Sequence, residues 1–260
     1  MIESKSNQQI KHVIQLQSKA KARREANAFV VEGPRMVSET PAHLLQKVYV
    51  SEHASVEVAD AIAHIDPSNI EEVAEGVFRT MSETVTPQGV LAVVTKPQYD
   101  VETFFHKQNG LYLILENIQD PGNLGTMLRT AEGAGVDGVV MSRDTVDLFS
   151  PKVVRSTMGS LYRMPFFITE DVLETIQQMK DMGIAVYAAH LKGEKFYDEC
   201  SYKNGTAFLI GNEGNGLRKE TADAASDYLK IPMCGSLESL NAAMAAGILM
   251  YEAARQRRNP

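Results

Sequence analysis

Two cysteines are all that the 260-residue chain carries: Cys200 and Cys234, 34 positions apart and with no CxxC pair. That pattern excludes a cysteine-only zinc site and a disulfide framework, and it fits a reducing cytosol. Each thiol is expected to pack as a small hydrophobe. No apolar run approaches the ~18 residues that a membrane-spanning helix requires. The opening segment, Met1-Ile2-Glu3-Ser4-Lys5-Ser6-Asn7, lacks an apolar stretch, so no secretory leader is expected. Clustered histidines are missing as well. His12, His43, His53, His64, His106 and His190 are scattered, read best as solvated or packed, and call for no metal. Internal repeats and low-complexity tracts do not occur. Nor is there a positive excess: 26 Lys+Arg face 33 Asp+Glu, a net charge of −7 that argues against a surface clamping a phosphate backbone all round.

What is present is an average globular composition, 44% hydrophobic and 23% charged, which excludes disordered, collagen-like and coiled-coil classes. The length fits one or two domains. Charge is uneven along the chain. Residues 1–24 hold Lys5, Lys11, Lys19, Lys21, Arg23 and Arg24 against the single acid Glu3, a net of +5, so the remainder carries −12. Arg255, Arg257 and Arg258 form a second basic cluster near the C-terminus. These clusters are either solvated helix faces or phosphate-binding arms on an acidic body, and charge alone does not decide.

Hydrophobic periodicity predicts a helix over 6–24, then strand 28–32, helix 34–40, strand 48–51, helix 54–63, strand 70–73, helix 74–81 and strand 88–95. Residues 95–100 break the pattern and read as a linker. Beyond them come strand 111–115, helix 121–133, strand 138–141, helix 151–161, strand 164–168, helix 171–182, strands 184–189 and 206–210, a helix near 218–225, strand 227–231 and a long helix over 239–258. The alternation predicts an α/β fold with a buried, mostly parallel sheet. Gly133-Ala134-Gly135-Val136-Asp137-Gly138 matches GxGxxG letter for letter, but it follows a helix and precedes a strand. A dinucleotide site needs the reverse order, so these glycines read as a helix cap and a turn.

Three segments carry chemistry. In 114–135, Asp120 is a natural N-cap with Pro121 behind it. Arg129 lies about 140° around the helix from Leu124, at ~100° per residue. It is either an ordinary solvated arginine or one presented at the C-terminal edge of the sheet. In 207–217, a strand runs into Gly211-Asn212-Glu213-Gly214-Asn215-Gly216. So many glycines let a ligand or another chain segment approach the backbone, although a tight polar turn is the plainer reading. In 229–258, Ser239 is expected to cap a helix made slim by Ala242, Ala243, Ala245, Ala246 and Gly247, which suits a core or a dimer interface.

In this order and spacing, NLGTMLRTA, FLIGNEGNGL and LKIPMCGSLESLNAAMAAGILMYEA closely resemble the three motifs of the SpoU-type (TrmH family) RNA 2′-O-ribose methyltransferases of the SPOUT superfamily, over about residues 110–258. FVVEGPRMVSE (29–39) and TPQGVLAVV (86–94) look like that family's small substrate-binding domain, and the preceding helix resembles that of its rRNA-modifying branch. The resemblance implies an α/β architecture with a C-terminal trefoil-knotted SPOUT domain over 97–260. A basic helix and a small α/β RNA-binding domain would occupy 1–96. It implies S-adenosylmethionine (SAM) as cofactor, contacting Gly211, Ile231 and Leu240 with Ile210 and Met233 nearby. It also implies a catalytic set of Asn123, Arg129, Glu213, Ser239 and Asn241, a homodimer whose active site uses both subunits, and a cytoplasmic enzyme acting on large-subunit ribosomal RNA. The RNA contacts are expected at Lys19, Lys21, Arg23 and Arg24, with Arg35 and Arg155. Ala242 departs from the valine that family members often carry after the motif-three asparagine, which bears on local pocket packing.

The implied reaction takes a proton from a ribose 2′-hydroxyl as it attacks the sulfonium methyl group. An arginine is a poor base for this, since lowering a guanidinium from ~13 to ~8 costs about 7 kcal/mol at 1.36 kcal/mol per unit. A neighbouring phosphate favours its charged form further. Arg129 is therefore expected to clamp the nucleotide and stabilise developing alkoxide, with Glu213 fixing the loop and Arg129. The alternatives are the same chemistry on tRNA, whose enzymes tend to lack the N-terminal domain, and an RNA-binding relative without activity. On the basic-arm reading, deleting residues 1–24 weakens RNA binding, flattens its salt dependence and leaves SAM affinity unchanged.

Overall fold

A computed structural model describes residues 1–99, 104–105 and 109–258; His106 and Asp100, the last residue of the expected linker, lie outside them. The chain forms two compact units, one of residues 1–98 with 147–162 and one of residues 99–146 with 163–260. The segment 147–162, expected within the C-terminal half, thus packs with the N-terminal unit.

In the first unit the expected single helix over 6–24 is two. Helix α1 (Gln8–Ser18) starts on Asn7, whose side chain accepts the Gln9 N–H at 2.8 Å. Its stripe of Ile10, Val13 and Leu16 is fully buried, each side chain contributing roughly 1.5–3 kcal/mol. Lys19 then turns extended (φ −127°), and α2 (Ala20–Glu25) begins. The break strands carbonyls of the last α1 turn. Arg23 answers them, donating to Leu16 O at 2.6 Å and Gln17 O at 2.7 Å while two of its nitrogens reach Asp147 at 2.9 and 2.8 Å. At 4% exposure Arg23 is a buried structural cation, which corrects its expected role as an RNA contact.

Strands β1 (Ala28–Glu32), β2 (Leu45–Ser51), β3 (Ile70–Val73) and β4 (Val90–Thr95) form a sheet of order β1-β4-β2-β3 in which only β2 and β3 run parallel. Helices α3 (Pro34–Ser38), α4 (Val56–Ile62) and α5 (Glu75–Met81) complete it. The α1 stripe joins Phe78, Met81 and Leu91 in one core, and Ile2 bridges to Val73 at the edge of β3. Residues 1–24 are therefore built into the unit, and deleting them would open its core. Their RNA role has to be tested by substituting exposed charges. Within 147–162, Phe149 meets the Phe29 ring at 5.0 Å, and Tyr162 Oη lies 2.9 Å from Thr40 Oγ1. The helix there, α7 (Pro151–Thr157), stops short of 161 because Met158 and Gly159 both take positive φ.

The second unit is a parallel sheet. Strands β5 (Leu111–Leu115), β6 (Gly138–Ser142), β7 (Phe166–Thr169), β8 (Ala185–Ala189), β9 (Lys195–Phe196), β10 (Thr206–Ile210) and β11 (Asp227–Lys230) take the order β7-β6-β5-β10-β8-β11-β9, every pairing parallel. β5 and β10 are buried at every position, as continuous apolar strands covered on both faces must be. The covering helices are α6 (Pro121–Ala134), α8 (Val172–Asp181), α9 (Lys219–Asp223) and α10 (Ala242–Arg258). From β5 the chain runs outward through α6 to β6; from β10, its neighbour, it runs the other way through α9 to β11. This reversal makes a topological switch point between β5 and β10.

The GxGxxG stretch is a cap and a turn, as its context predicts. Gly135 closes α6 at φ 73°, with its N–H on Glu132 O at 3.2 Å and that of Val136 on Ala131 O at 2.9 Å. The last helix begins at Ala242, and its cap is Asn241, whose Oδ1 accepts from Ala243 N at 2.9 Å and Met244 N at 3.2 Å; this corrects the expected start at Ser239. At its other end Arg257 donates to the carbonyls of Tyr202 (2.8 Å), Asn109 (2.7 Å) and Asn204 (2.7 Å), so it latches the helix down instead of reaching out as a basic arm. Among the described residues no helix is long and apolar enough to cross a membrane.

Arg23→Met leaves two carbonyls and a carboxylate without their partner. It is expected to lower unfolding free energy in urea by roughly 3–5 kcal/mol, and a loss under about 1 kcal/mol would contradict the role given to Arg23.

Candidate functional site

The loop after β10 is shaped by backbone crowding. A Cβ on Gly211 would stand 2.3 Å from Leu217 N and 2.4 Å from Gly216 C, so only glycine fits there. Asn212 and Gly216 exchange backbone hydrogen bonds of 3.1 and 2.9 Å, and Gly216 takes φ +69°. Asn212 Oδ1 accepts from Gly214 N and Asn215 N, while its Nδ2 donates to Asn117 O at 2.9 Å. The loop's far end is held by Glu116, whose buried carboxylate accepts from Arg218 N at 2.9 Å and Thr221 Oγ1 at 2.6 Å.

So held, the loop delivers Glu213 to the start of α6. One carboxylate oxygen accepts from Gln119 N at 3.0 Å; the other accepts from Asp120 N and Asn123 Nδ2, each at 3.0 Å. Asp120 caps the same helix through Asn123 N at 2.8 Å, as its position predicts. An anion at a helix N-terminus meets unpaired N–H groups and the positive end of the dipole. Burial pushes the Glu213 carboxyl upward, but the hydrogen bonds from Asn123, Gln119 and Asp120 outweigh it, leaving the pKa below the ordinary carboxylate value. The chain of contacts continues from Asn123 Oδ1, which accepts from Asn241 Nδ2 at 2.9 Å. Three of the five residues expected to be catalytic, Asn123, Glu213 and Asn241, are thus directly joined.

The other two stand apart from this chain. Ser239 is exposed and lines the neighbouring cavity. Arg129 is exposed on α6 and makes no hydrogen bond or ion pair among the described residues. It sits six positions beyond Asn123, about 9 Å along the helix at 1.5 Å per residue. Glu213 therefore fixes the helix that carries Arg129 and does not bond the arginine itself, which corrects the expected direct hold.

Beside the carboxylate lies a cavity of about 690 Å³, within the roughly 300–1,000 Å³ typical of small-molecule sites. Ile210, Gly211, Ile231, Met233 and Leu240, the five residues expected around the cofactor, all line it. Leu229 and Leu249 add apolar wall, and the backbone of 211–216 adds polar groups. An apolar slot edged by backbone donors and acceptors fits the adenosine of SAM, and the lining also includes the charged residues Lys192, Lys230 and Glu238. His190 and Leu191, after β8, also line the cavity and were not anticipated. The parallel pairing of β8 with both β10 and β11 puts them there. Cys234 is exposed, against expectation, because it stands in the extended 231–241 loop; Cys200 is half-buried, and burial raises its thiol pKa.

The expected RNA contacts all belong to the first unit. Lys19, Lys21, Arg24 and Arg35 are exposed and Arg155 is half-buried. Arg35 pairs with Glu39 at 3.0 Å and Lys21 with Glu25 at 3.7 Å, both at helical i,i+4 spacing and both weak enough to yield to phosphate.

A cavity at the C-terminal ends of β8, β10 and β11, with apolar walls and a polar backbone edge beside the start of α6, fits an α/β transferase with a nucleoside-type cofactor. Sequence comparison narrows the class. Residues 110–251 match the SpoU rRNA Methylase family and residues 7–92 match the MRM3-like substrate binding domain. The 23S rRNA (guanosine(2553)-2′-O)-methyltransferase RlmP of Bacillus subtilis (strain 168) is 33% identical over 96% of this chain and 97% of its own. An AdoMet-bound rRNA methyltransferase from Sinorhizobium meliloti superposes with a TM-score of 0.85 at 31% identity, covering 98% of this chain and 97% of its own. A TrmH/SpoU tRNA modifying enzyme from A. aeolicus covers only 58% of this chain and 77% of its own, with a TM-score of 0.53 at 27% identity. The chain belongs to the SpoU rRNA methylase family. It is an RNA 2′-O-ribose methyltransferase that uses SAM.

Because the folded-state pKa of Glu213 is depressed, its carboxylate contributes stability that is present above the unfolded value of about 4.3 and is lost as pH falls through the folded value. The gap in Tm between wild type and Glu213→Gln is expected to stay constant above about pH 6 and to shrink below about pH 4. A gap unchanged down to pH 3 would show that the charge on Glu213 holds nothing.

Proposed function

We propose that the substrate is large-subunit ribosomal RNA, methylated at one ribose 2′-hydroxyl. The observation that carries this is the end-to-end match to the Bacillus subtilis 23S rRNA enzyme, 96% of this chain against 97% of that one, spanning the substrate-binding domain as well as the catalytic one. The similarity to the tRNA enzyme stops at 58% of the chain. Such a substrate makes the cytoplasm the working compartment.

Gly211, Ile231 and Leu240, with Ile210 and Met233 beside them on the cavity wall, would hold SAM. SAM supplies an electrophilic methyl on sulfur, so an O–C bond forms as the C–S bond breaks and the 2′-hydroxyl proton leaves to phosphate or water. Arg129 stays charged and clamps the nucleotide, stabilising negative charge on the 2′-oxygen. Its exposure and lack of an internal partner support that role. Glu213, Asn123 and Asn241 position the helix that presents it, and Ser239, on the cavity wall, contacts cofactor or ribose. In the first unit, Lys19, Lys21, Arg24, Arg35 and Arg155 meet RNA phosphates.

Two further features belong to this reading. The segment from β10 to α10 is threaded as a deep trefoil knot, an arrangement nearly absent elsewhere. The enzyme works as a homodimer. Support comes from exposed Leu237, Met244 and Tyr251 at 70, 60 and 53% on and before α10, more apolar surface than a lone helix leaves open.

Nucleoside mass spectrometry of rRNA and tRNA from a deletion strain tests the substrate. One 2′-O-methyl signal is expected to vanish from 23S rRNA and to return with wild type but not with Arg129→Lys, which lacks the bidentate fork. A loss from tRNA, or from neither pool, would overturn the reading.

A further inference from the structure

Lys96 is a half-buried cation of the first unit whose described contact is with an aromatic ring. It stands at the end of β4, and its Nζ sits 4.6 Å from the centroid of the Phe149 ring. None of its three ammonium donors has a hydrogen-bond or ion-pair partner among the described residues. The ring face holds the ammonium in place through cation–π attraction but accepts no conventional hydrogen bond.

The surroundings make the charge costly. Burial lowers the Lys96 pKa, and Arg23 and Arg24 lower it further; Asp147 alone pulls the other way. Asp147 is mostly engaged elsewhere. Its Oδ2 takes two bonds from Arg23 and its Oδ1 takes Phe149 N at 3.0 Å. Arg23 and Lys96 therefore share the field of one carboxylate, and Arg23 holds its Oδ2. Proteins seldom leave such an excess half-buried unless an anion completes it.

We propose that Lys96, with Arg24 beside it, binds one backbone phosphate of the RNA substrate. The inference rests on the reading of the chain as an RNA methyltransferase and adds a contact that sequence patterning does not reveal. Phe149 comes from the 147–162 segment, whose own Lys152 is exposed and Arg155 half-buried. That segment accordingly serves the substrate-binding unit, supplying the ring that sets the ammonium and two further cations on the same stretch. Phosphate contacts of this kind fix register on the RNA and carry no sequence information.

The test uses the full-length protein and two probes: an in vitro transcript of 23S rRNA and polyuridylate. Binding is measured across about 50–200 mM KCl for wild type, Lys96→Met and Lys96→Arg. Losing one phosphate contact should reduce the slope of log K against log salt by about 0.7–0.9 and narrow the affinity change over that range roughly threefold. Lys96→Met is expected to show this loss, Lys96→Arg to keep the wild-type slope, and SAM affinity to be unchanged in both. Without RNA, the Tm of Lys96→Met should equal or exceed that of wild type, because a repelled half-buried charge has gone. A wild-type slope in Lys96→Met, or a Tm below wild type, would overturn the proposal. If wild type binds polyuridylate but not the 23S transcript, the ribosomal reading fails while the polyuridylate slopes still decide Lys96.

Discussion

A single carboxylate, that of Glu213, holds the second unit's loops in register. It accepts three hydrogen bonds at the N-terminus of α6, and through Asn123 it reaches Asn241, the cap of the last helix. The loop that carries it is itself the wall of the cofactor cavity. One anion therefore sets three things at once: the start of the helix that carries Arg129, the shape of the cavity wall proposed to meet SAM, and the cap of the last helix. Each is a loop or helix end, where backbone groups lack partners and a fixed charge is worth most. The parallel sheet supplies the frame by bringing β5 and β10 side by side, with their connections leaving in opposite directions.

The two units engage their charges differently. The first unit contains the basic opening helices and answers its buried guanidinium with Asp147; its exposed Lys19, Lys21 and Arg24 remain for solvent or phosphate. The second unit spends its charges internally. Glu116 pins Arg218 and Thr221, Arg218 also pairs with Asp144, and Arg257 latches α10 to neighbouring carbonyls. The net charge of −7 falls mainly on the second unit, −6 against −1 on the first, so the excess of basic residues is confined to the opening helices.

Local chemistry was readable from the chain, and long-range pairing was not. Asp120-Pro121 announces a helix start, Gly135 a helix end, and the glycines around Glu213 a backbone too crowded for a Cβ, because each of these depends on residues a few positions apart. The family motifs likewise point to five cavity residues that the fold brings together. Arg23 looked no different from Lys21 and Arg24, since only the break at Lys19 and the distant Asp147 make it structural. Ser239 and Asn241 are both plausible caps by type, and the bond that Asn241 donates to Asn123 helps select the second. The contributions of β8 and of segment 147–162 depend on which strands and units neighbour one another, and no residue pattern encodes that adjacency.

Glu213, Asn123 and Asn241 act as one unit. A double-mutant cycle on kcat/KM with Asn123→Ala and Asn241→Ala measures this directly. Residues that act through one shared hydrogen bond are expected to be non-additive, with the double variant losing little more than the worse single one and a coupling of at least about 1 kcal/mol, roughly fivefold. Losses that add within about 0.5 kcal/mol would show the two asparagines to be independent and would contradict the account.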